Sequence, residues 1–548
     1  MNKQLRCKTL NGTLFWMLLL FLVSCSSKEK AQFLVKGNLL SVSDSLLPYE
    51  AMVIQDGKVA ALGSANELLE QFEVDSILHF EGKFIYPGLI DAHCHFFGLG
   101  MFAQRVDLSG SQSFEEVVER CKQFAGSAPR SFLYGRGWDQ TKWINKEFPS
   151  NELLNKAFPD YPVLLKRVDG HAAIANDVAL RLANITNKTT VSGGSFIQVN
   201  GKLSGVLIDN AVDLVEAILP KPSNKEISEA LVHAQAVCLD YGLTAITDAG
   251  LDTEIIWLID SLQKCGSLKI KVNAMVSLTD ENLAYWLNRG IYTSDRLQVN
   301  SFKMYGDGAL GSRGACLLKH YHDKPNEQGF LLTELPAMER FVRKIAASPF
   351  QLNTHAIGDS TNRILLKLYA SALAGKTDRR WRIEHAQVVA ASDFALFGDA
   401  SIVPSVQPTH ATSDMYWAQE RLGSDRIKGA YAYQTLLQQN GWIPLGTDFP
   451  VEQVSPFFTF FAAVARTDAN NFPSGGFQIN DALTREQALK GMTYWAAKAA
   501  FQEKIMGTLS VGSAADFVVL PHSFLQDDLH KIRNQKAIST FINGEQVK

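Results

Sequence analysis

The chain has 548 residues, of which 46% are hydrophobic and 10% are aromatic, and its 53 basic and 56 acidic side chains give a formal net charge of −3. This composition is typical of a folded globular protein and excludes an intrinsically disordered one. A charge so close to balance provides no basic surface for nucleic acid, so we expect no nucleic-acid partner. The length allows a large domain together with a smaller one, because domains commonly span about 100–250 residues.

The N-terminal segment is typical of an export signal. Three basic residues and no acidic one precede an apolar run of ten, residues 14–23, which is too short to span a bilayer but suits a signal peptide. The run ends in Leu22-Val23-Ser24-Cys25, which resembles a bacterial lipobox. We therefore expect residues 1–24 to be a lipoprotein signal peptide and Cys25 to be lipidated, which anchors the protein to a bacterial membrane in the cell envelope, at the periplasm or the cell surface. The alternative is a simple cleaved signal beside a chance cysteine.

Both ends of the mature chain contain short β-like segments. These segments are residues 33–35, 51–54 and 59–62 near the start, and residues 515–520 and 538–542 near the end. Two β-rich ends around a long central region predict one small β domain built from both termini. We assign residues 25–85 and 501–548 to this domain.

The central region, residues 86–500, alternates apolar strands with amphipathic segments. The eight candidate strands are residues 89–96, 244–249, 270–276, 299–305, 351–356, 382–386, 402–407 and 442–448. Eight strands, most of them followed by a helical stretch, predict an α/β fold of the TIM (β/α)8 barrel type, although an open doubly wound sheet could also hold eight. About 150 residues separate the first two strands, whereas a βαβ unit needs about 30. We therefore expect residues 105–225 to form an inserted subdomain beside the mouth of the barrel.

The first candidate strand ends in the motif Asp91-Ala92-His93-Cys94-His95. Side chains alternate between the two faces of a strand, so His93 and His95 point to the same face and Cys94 points to the other. Two neighbouring imidazoles at a strand end can hold one divalent ion through their neutral nitrogens. The motif therefore predicts part of a metal site.

Polar residues recur at the same end of other candidate strands. They are Lys303, His355, His385 and Asp448. Singly, each histidine could be an ordinary core histidine, and the aspartate could be a helix N-cap. Lys303 is placed to face inward, where a cation is costly without a partner. Taken together with the pair of histidines on the first strand, these residues predict a metal centre at the C-terminal end of the barrel.

With these motifs the sequence resembles the amidohydrolase superfamily, and more narrowly its YtcJ-like branch (amidohydrolase family 3), which includes N-substituted formamide deformylases. Besides the residues above, the similar segments are Gly135-Arg136-Gly137-Trp138-Asp139, Asp169-Gly170-His171-Ala172, Asp248-Ala249-Gly250, Asp307-Gly308-Ala309-Leu310-Gly311-Ser312-Arg313, His355-Ala356-Ile357-Gly358-Asp359 and Gly507-Thr508-Leu509-Ser510-Val511-Gly512. The similarity runs from about residue 33 to the C-terminus. It implies a TIM barrel with a β-sandwich domain formed by both chain ends, and one or two divalent ions, most often zinc.

The resemblance also implies which residues would hold the ions. By position these are His93, His95 and Asp448 for a first ion, and His355 and His385 for a second. Lys303 would bridge the two ions as N6-carboxylysine, because carboxylation turns a cation into an anionic ligand; the alternative is an ammonium group that contacts substrate. The implied reaction is hydrolysis by metal-activated water, in which Asp448 takes the proton of the water and passes it to the leaving nitrogen.

Three further residues are candidate substrate contacts. His171 lies in a predicted loop of the insert, Arg313 follows a glycine-rich turn, and His410 follows the seventh strand; an ordinary loop histidine and a structural salt bridge are the alternatives for the first two. The leading hypothesis is an exported, lipid-anchored, metal-dependent amidohydrolase that cleaves a non-peptide C–N bond of a small molecule. The alternatives are a lactone, ester or dipeptide-like substrate at the same site, or a catalytically silent binding lipoprotein. The sequence leaves the substrate and the oligomeric state open.

Overall fold

The computed structural model describes residues 28–102, 105–126, 132–220 and 222–548. The predicted lipidation site, Cys25, lies outside the described residues. Within these ranges, every helix is too short or too polar to cross a membrane.

The N-terminal part of the chain leads into the barrel through four strands and one short helix. The elements are β1 (Glu29–Val42), β2 (Leu46–Gln55), β3 (Lys58–Gly63), α1 (Ala65–Gln71), β4 (Phe72–Pro87), the first barrel strand β5 (Leu89–Cys94) and α2 (Phe96–Phe102). Strand β1 pairs antiparallel with β2 and parallel with β4. All six residues of β5 are buried, as expected for a strand that is covered on both faces.

The inserted subdomain follows the first barrel strand. Its elements are β6 (Val106–Asp107), α3 (Phe114–Ala125), β7 (Leu133–Trp138), α4 (Glu152–Ala157), β8 (Val163–Arg167), β9 (Ala172–Ala175), α5 (Asp177–Leu182), β10 (Gly194–Val199), β11 (Lys202–Asp209) and α6 (Asn210–Glu216). The strands form one mixed sheet in the order β10-β11-β9-β8-β7-β6. Neighbouring residues Leu164 and Leu165 of β8 pack into different apolar clusters, so the sheet is covered on both faces.

The remaining barrel elements alternate between strand and helix. They are α7 (Asn224–Asp240), β12 (Leu243–Leu251), α8 (Thr253–Lys264), β13 (Lys271–Ser277), α9 (Asp280–Arg289), β14 (Tyr292–Thr293), β15 (Leu297–Tyr305), α10 (Leu335–Ala346), β16 (Gln351–Ala356), α11 (Asp359–Leu373), β17 (Arg382–His385), α12 (Ala395–Asp399), β18 (Val403–Ser405), α13 (Pro408–Asp414), α14 (Ala418–Arg426), α15 (Tyr433–Asn440), α16 (Pro456–Ala465), α17 (Arg485–Gly491) and α18 (Tyr494–Ala499). Helix α10 shows the local reason for this pattern: its buried residues Met338, Phe341, Val342 and Ile345 recur at helical spacing, which buries one stripe against the barrel.

Seven parallel strands form the barrel sheet in the order β18-β17-β16-β15-β13-β12-β5. The eighth candidate, residues 442–448, does not form a regular strand, but it joins the two edges. Leu445 pairs in parallel with Val406, and its carbonyl accepts a hydrogen bond from the Ala92 N–H at 3.1 Å. The Asp448 N–H donates to the His93 carbonyl at 2.8 Å. The predicted TIM-barrel fold class is confirmed.

The C-terminal segment completes the β domain with β19 (Phe517–Leu520), α19 (Leu529–Arg533), β20 (Ser539–Ile542) and β21 (Glu545–Gln546). The sheet order is β21-β20-β19-β4-β1-β2-β3, so both chain ends contribute, as predicted. Three strand spacings of about 4.8 Å would separate β20 from β1 in a flat sheet. The Phe541 and Phe33 ring centroids are only 6.3 Å apart, so the sheet folds over on itself like a sandwich. The domain boundaries assigned from the sequence stay predictions.

Candidate metal centre

The C-terminal ends of the barrel strands open into a cavity of about 590 Å³. Its lining includes five of the predicted ligands, which are His95, Lys303, His355, His385 and Asp448. The sixth, His93, is buried beneath them with no exposed surface. Residues of the inserted subdomain form another wall of the same cavity. The cavity therefore lies where TIM-barrel enzymes place their active sites.

The predicted ligands converge on Asp448. His93 Nε2 lies 3.5 Å and His95 Nε2 lies 3.2 Å from Asp448 Oδ1. His93, His385 and Asp448 each offer one ligand atom, and these atoms lie within 4.8 Å of one another. The His355 ring centroid is 4.5 Å from that of His385. The barrel thus gathers four imidazoles and one carboxylate at a single point.

The protonation states in this cluster suit metal coordination. Burial lowers the pKa of His93 to about 4 and holds the pKa of His355 and of His385 well below its usual range, so these imidazoles are neutral. Burial opposes ionisation of Asp448, but the neighbouring imidazoles, His95 first, outweigh it and hold the pKa of Asp448 well below its usual range. Neutral imidazoles and an ionised carboxylate are the forms that bind a divalent ion.

Two atoms of the cluster that could coordinate a metal ion make no hydrogen bond. His355 Nε2 and Asp448 Oδ1 are buried and make no hydrogen bond of good geometry in the part of the chain that the structure describes. The contact of His95 Nε2 with Asp448 Oδ1, at 3.2 Å, is close enough for an ion pair but does not have the geometry of a hydrogen bond. A buried polar atom without a partner costs free energy, and a divalent ion would satisfy both. The residues present therefore fit a metal centre.

A second layer of polar residues orients the imidazoles. His93 Nδ1 donates to Glu384 Oε2 at 2.5 Å, and His385 Nδ1 donates to Gln407 Oε1 at 2.7 Å. These bonds place the protons on Nδ1 and leave Nε2 free to coordinate. Glu384 is held by Arg382, whose Nε lies 2.6 Å from Glu384 Oε1. Burial opposes ionisation of Glu384, but Arg382 and His93 lower its pKa to about 2.

Sequence reasoning missed Glu384, although a signal was present. Arg382 and Glu384 are two residues apart on a strand, so they share a face. Two opposite charges on the inward face of a barrel strand predict a buried ion pair. Both side chains are completely buried.

Lys303 lies at the edge of the cluster. It is 1% exposed, and its Nζ is 3.3 Å from His93 Nε2. Burial lowers its pKa to about 8, and Lys303 has no salt bridge to any carboxylate among the residues described. Nearby, Asp248 lines the cavity and accepts a hydrogen bond from the Phe97 N–H at 2.9 Å. Burial raises the pKa of Asp248 to about 7.

Comparison with known proteins agrees with this geometry. The sequence model of the amidohydrolase family matches residues 80–548. The chain belongs to the amidohydrolase family. In a crystal structure, an uncharacterized metal-dependent hydrolase from Pyrococcus horikoshii is 27% identical and superimposes with a TM-score of 0.74, covering 91% of this chain and 99% of that one.

Three named relatives align with nearly the whole length of this amidohydrolase. It is 32% identical over 542 residues to Protein LONG AFTER FAR-RED 3 of Arabidopsis thaliana, covering 94% of this chain and 91% of that protein. It is 30% identical over 513 residues to putative amidohydrolase YtcJ of Bacillus subtilis, covering 90% and 95%. It is 22% identical over 535 residues to N-substituted formamide deformylase of Arthrobacter pascens, covering 93% and 97%. The predicted relationship to the YtcJ-like branch is confirmed.

Two of the three predicted substrate contacts of this amidohydrolase line the cavity, His171 and His410. His171 Nδ1 donates to Asp209 Oδ1 at 2.7 Å, and its ring centroid is 5.1 Å from that of His355. His410 Nε2 lies 3.5 Å from Asp448 Oδ2. Both histidines are therefore within reach of a substrate bound at the metal centre.

Asp209 is another residue that sequence reasoning missed. Its Oδ2 is buried without a hydrogen-bond partner among the described residues. A Cβ atom at Gly308 or at Gly314 would lie 2.6 or 2.3 Å from that oxygen. Both glycines therefore leave the space in which the Asp209 carboxylate holds His171. The glycine-rich segment was visible in the sequence, but its contact with Asp209 was not.

The third predicted contact, Arg313, lies elsewhere. It is absent from the cavity lining, and its Nη2 is 2.8 Å from Asp323 Oδ2. Arg421 pairs with the same carboxylate. This geometry is the structural salt bridge that the sequence left as the alternative, and it gives no support to a substrate contact.

Proposed function

We propose that this amidohydrolase is a zinc-dependent enzyme that hydrolyses a non-peptide C–N bond in a small amide. The observation that carries the proposal is the set of buried, unpartnered donor atoms, among them His355 Nε2 and Asp448 Oδ1, on the floor of the cavity. The similarity to a metal-dependent hydrolase supports the metal, and the similarity to N-substituted formamide deformylase supports an amide-type bond.

The proposed centre holds two ions. His93, His95 and Asp448 are assigned to the first ion, and His355 and His385 to the second. Lys303, if carboxylated to N6-carboxylysine, would supply a further anionic ligand to these ions. Its burial without a salt bridge to a described carboxylate supports this assignment. The neutral amine would add to carbon dioxide, forming the N–C bond and releasing one proton to solvent, and an anionic ligand would then stand in place of a buried cation.

The proposed mechanism assigns the proton transfers to the protein. Divalent ions held by these residues would supply an activated water and would polarise the scissile carbonyl. Asp448, which the imidazoles keep ionised, accepts a proton from the attacking water and delivers it to the leaving nitrogen. Asp209 keeps the His171 proton on Nδ1 and directs His171 Nε2 away from itself, where it can contact the substrate. His410 lies beside Asp448 Oδ2 and limits the positions that this carboxylate can take.

Metal analysis of the purified mature protein tests the metal centre. Wild type is compared with the double variant His93→Ala/His95→Ala and with the control His320→Ala, which changes an exposed histidine. We expect wild type and the control to retain about two equivalents of zinc, and the double variant to lose them. Equal zinc in all three proteins would refute the proposed centre.

A substrate panel tests the bond. N-formyl amines, unsubstituted lactones and dipeptides are supplied to the zinc-loaded enzyme, and product formation is followed by chromatography. Hydrolysis of formamides above the rate of an Asp448→Asn variant supports the proposal. Turnover of lactones or dipeptides with silent formamides would overturn the C–N assignment while leaving the metal centre intact.

The membrane anchor is a separate part of the proposal and rests on the sequence around Cys25. Acylation of this residue would tether the mature chain to a bacterial membrane. Wild type and Cys25→Ser are expressed in a bacterial host and partitioned with Triton X-114. We expect wild type in the detergent phase and the variant in the aqueous phase. Wild type in the aqueous phase would refute the anchor.

A further inference from the structure

The inserted subdomain presents cationic side chains to the cavity, and two of them are already paired. Lys166 Nζ is 2.8 Å from Glu216 Oε1. Arg167 Nη1 is 2.5 Å from Asp169 Oδ2, and its Nη2 pairs with Asp139. Both charges are therefore neutralised within the insert before any ligand binds.

Arg136 is the cation of this wall that lacks such a partner. It lines the cavity, yet it forms no salt bridge with any residue that the structure describes. Its Nη2 donates to the Val168 carbonyl at 3.0 Å, and its Nε is buried without a hydrogen-bond partner. The protein compensates one N–H of the guanidinium with a neutral acceptor and leaves its charge available to the cavity.

The local sequence holds Arg136 in this position. Leu133 and Gly135 of β7 are buried in the core of the insert, whereas Tyr134 and Arg136 alternate to the opposite face. Gly137 follows with φ +114°, and a Cβ atom there would lie 2.6 Å from Ser109 Oγ. The strand therefore ends in a close approach that only glycine allows, which fixes the direction in which the preceding arginine leaves the sheet.

Arg136 also lies close to the metal centre. It shares the cavity with His95 and Lys303. A small molecule bound at the metal centre could therefore reach the guanidinium with another of its groups.

We propose that Arg136 binds a carboxylate of the substrate, so that this amidohydrolase acts on amides that also carry an anionic group. A guanidinium recognises a carboxylate with two parallel N–H···O bonds. Such a substrate would supply the counter-charge that the insert gives to Lys166 and Arg167 but not to Arg136. This inference rests on the proposed function for the amide bond and adds the substrate class.

Matched ligand pairs test the inference by binding rather than by turnover. N-formylglycine, N-formyl-β-alanine and N-formyl-4-aminobutyrate are compared with N-formyl methyl-, ethyl- and propylamine, which lack only the carboxylate. Dissociation constants are measured by calorimetry with the mature chain after its metal has been removed, so that no ligand is hydrolysed during the titration. We expect the dissociation constant of at least one carboxylate ligand to be about tenfold lower than that of its neutral partner, or lower still, as is typical for a hydrogen bond to a charged group.

Three variants assign the effect to Arg136. Arg136→Met should remove the preference for the carboxylate and leave the neutral ligand unchanged. Arg136→Lys keeps the charge without the planar fork and should retain part of the preference. The control Lys142→Met removes another cation of the same cavity, whose side chain is 57% exposed, and should keep the wild-type preference. Thermal unfolding confirms that each variant is folded.

The outcomes separate this inference from the proposed function. If wild type shows no preference for any carboxylate, or if folded Arg136→Met keeps the preference, the inference is wrong. A preference that depends on Arg136, without hydrolysis of any amide, would leave the anion site standing and refute the proposed reaction. Hydrolysis of neutral amides without any preference for a carboxylate ligand would support the proposed reaction and refute the anion site.

Discussion

Glu384 provides a sharp test of the second layer around the metal centre. Its carboxylate accepts from His93 Nδ1 at 2.5 Å and pairs with Arg382, and all three side chains are buried. The substitution Glu384→Gln preserves the size and one acceptor oxygen. It removes the negative charge, and the new amide group turns N–H donors toward either the arginine or the imidazole.

The substitution should have two effects, one on metal affinity and one on stability. Loss of an outer partner of a metal-binding histidine typically costs about 10–100-fold in metal affinity. Breaking a buried ion pair costs about 3–5 kcal/mol. Arg382 would keep its hydrogen bonds to the Ala92 carbonyl at 2.6 Å and to Ser405 Oγ at 2.9 Å. We therefore expect a loss near the lower limit, about 3 kcal/mol in the free energy of unfolding.

Zinc affinity is measured by competition with a chelating dye, and stability by urea denaturation of the metal-free protein. The control is Glu452→Gln, the same change at a residue that lines the cavity and accepts from Ser413 Oγ at 2.5 Å. The control should keep the wild-type zinc affinity. Wild-type affinity and stability in Glu384→Gln would refute the reasoning that this carboxylate orients His93.

Three further predictions follow from the same region. Lys303→Ala should bind one zinc ion fewer than wild type, and added bicarbonate during reconstitution should raise the zinc content of wild type only. Gly314→Ala would place a Cβ 2.3 Å from Asp209 Oδ2 and displace the carboxylate that holds His171. We expect kcat to fall by about 100-fold, as for a misplaced active-site group, while the zinc content stays unchanged. Gly126→Ala is the control and should keep the wild-type kcat. Burial raises the pKa of Asp307 to about 7, so the fold favours its protonated form, and the stability that Asp307 contributes is lost as the pH rises from about 4 to about 7. In urea titrations of the metal-free proteins, the unfolding free energy of wild type should therefore fall relative to that of Asp307→Asn over this range, and a constant difference between the two would contradict the reasoning.

Much of the fold could be predicted from local sequence patterns. Seven candidate strands of the barrel correspond to observed strands, because each is an apolar run bounded by turn or helix signals. Residues 442–448 behave differently. This segment is held by single backbone contacts such as the Ala92 N–H to the Leu445 carbonyl, and such contacts depend on barrel closure, which no local pattern encodes.

The site could be predicted only in part, and the reason is distance in the chain. Side-chain alternation places His93 and His95 together because two residues separate them. Glu384 accepts a hydrogen bond from His93 across 291 positions of the chain. The salt bridge between Arg313 and Asp323 depends on how the loop between these residues folds. An isolated motif identifies residues of suitable chemistry, whereas their partners depend on the tertiary structure.

Two predicted ligands also break the alternation rule, and the backbone explains how. Glu384 faces the barrel interior, so the next residue of a regular strand would face the helices; His385 nevertheless lines the cavity. Its φ is +72°, and the φ of Asp448, which follows the inward-facing Thr447, is +64°. A non-glycine residue in this left-handed region costs about 1–3 kcal/mol. At Asp448 the hydrogen bonds of its N–H to His93 and of its carbonyl from Val451 offset this strain. The left-handed turns bring two consecutive side chains of one segment to the same side, so each strand end can supply both a buried supporting residue and a metal ligand.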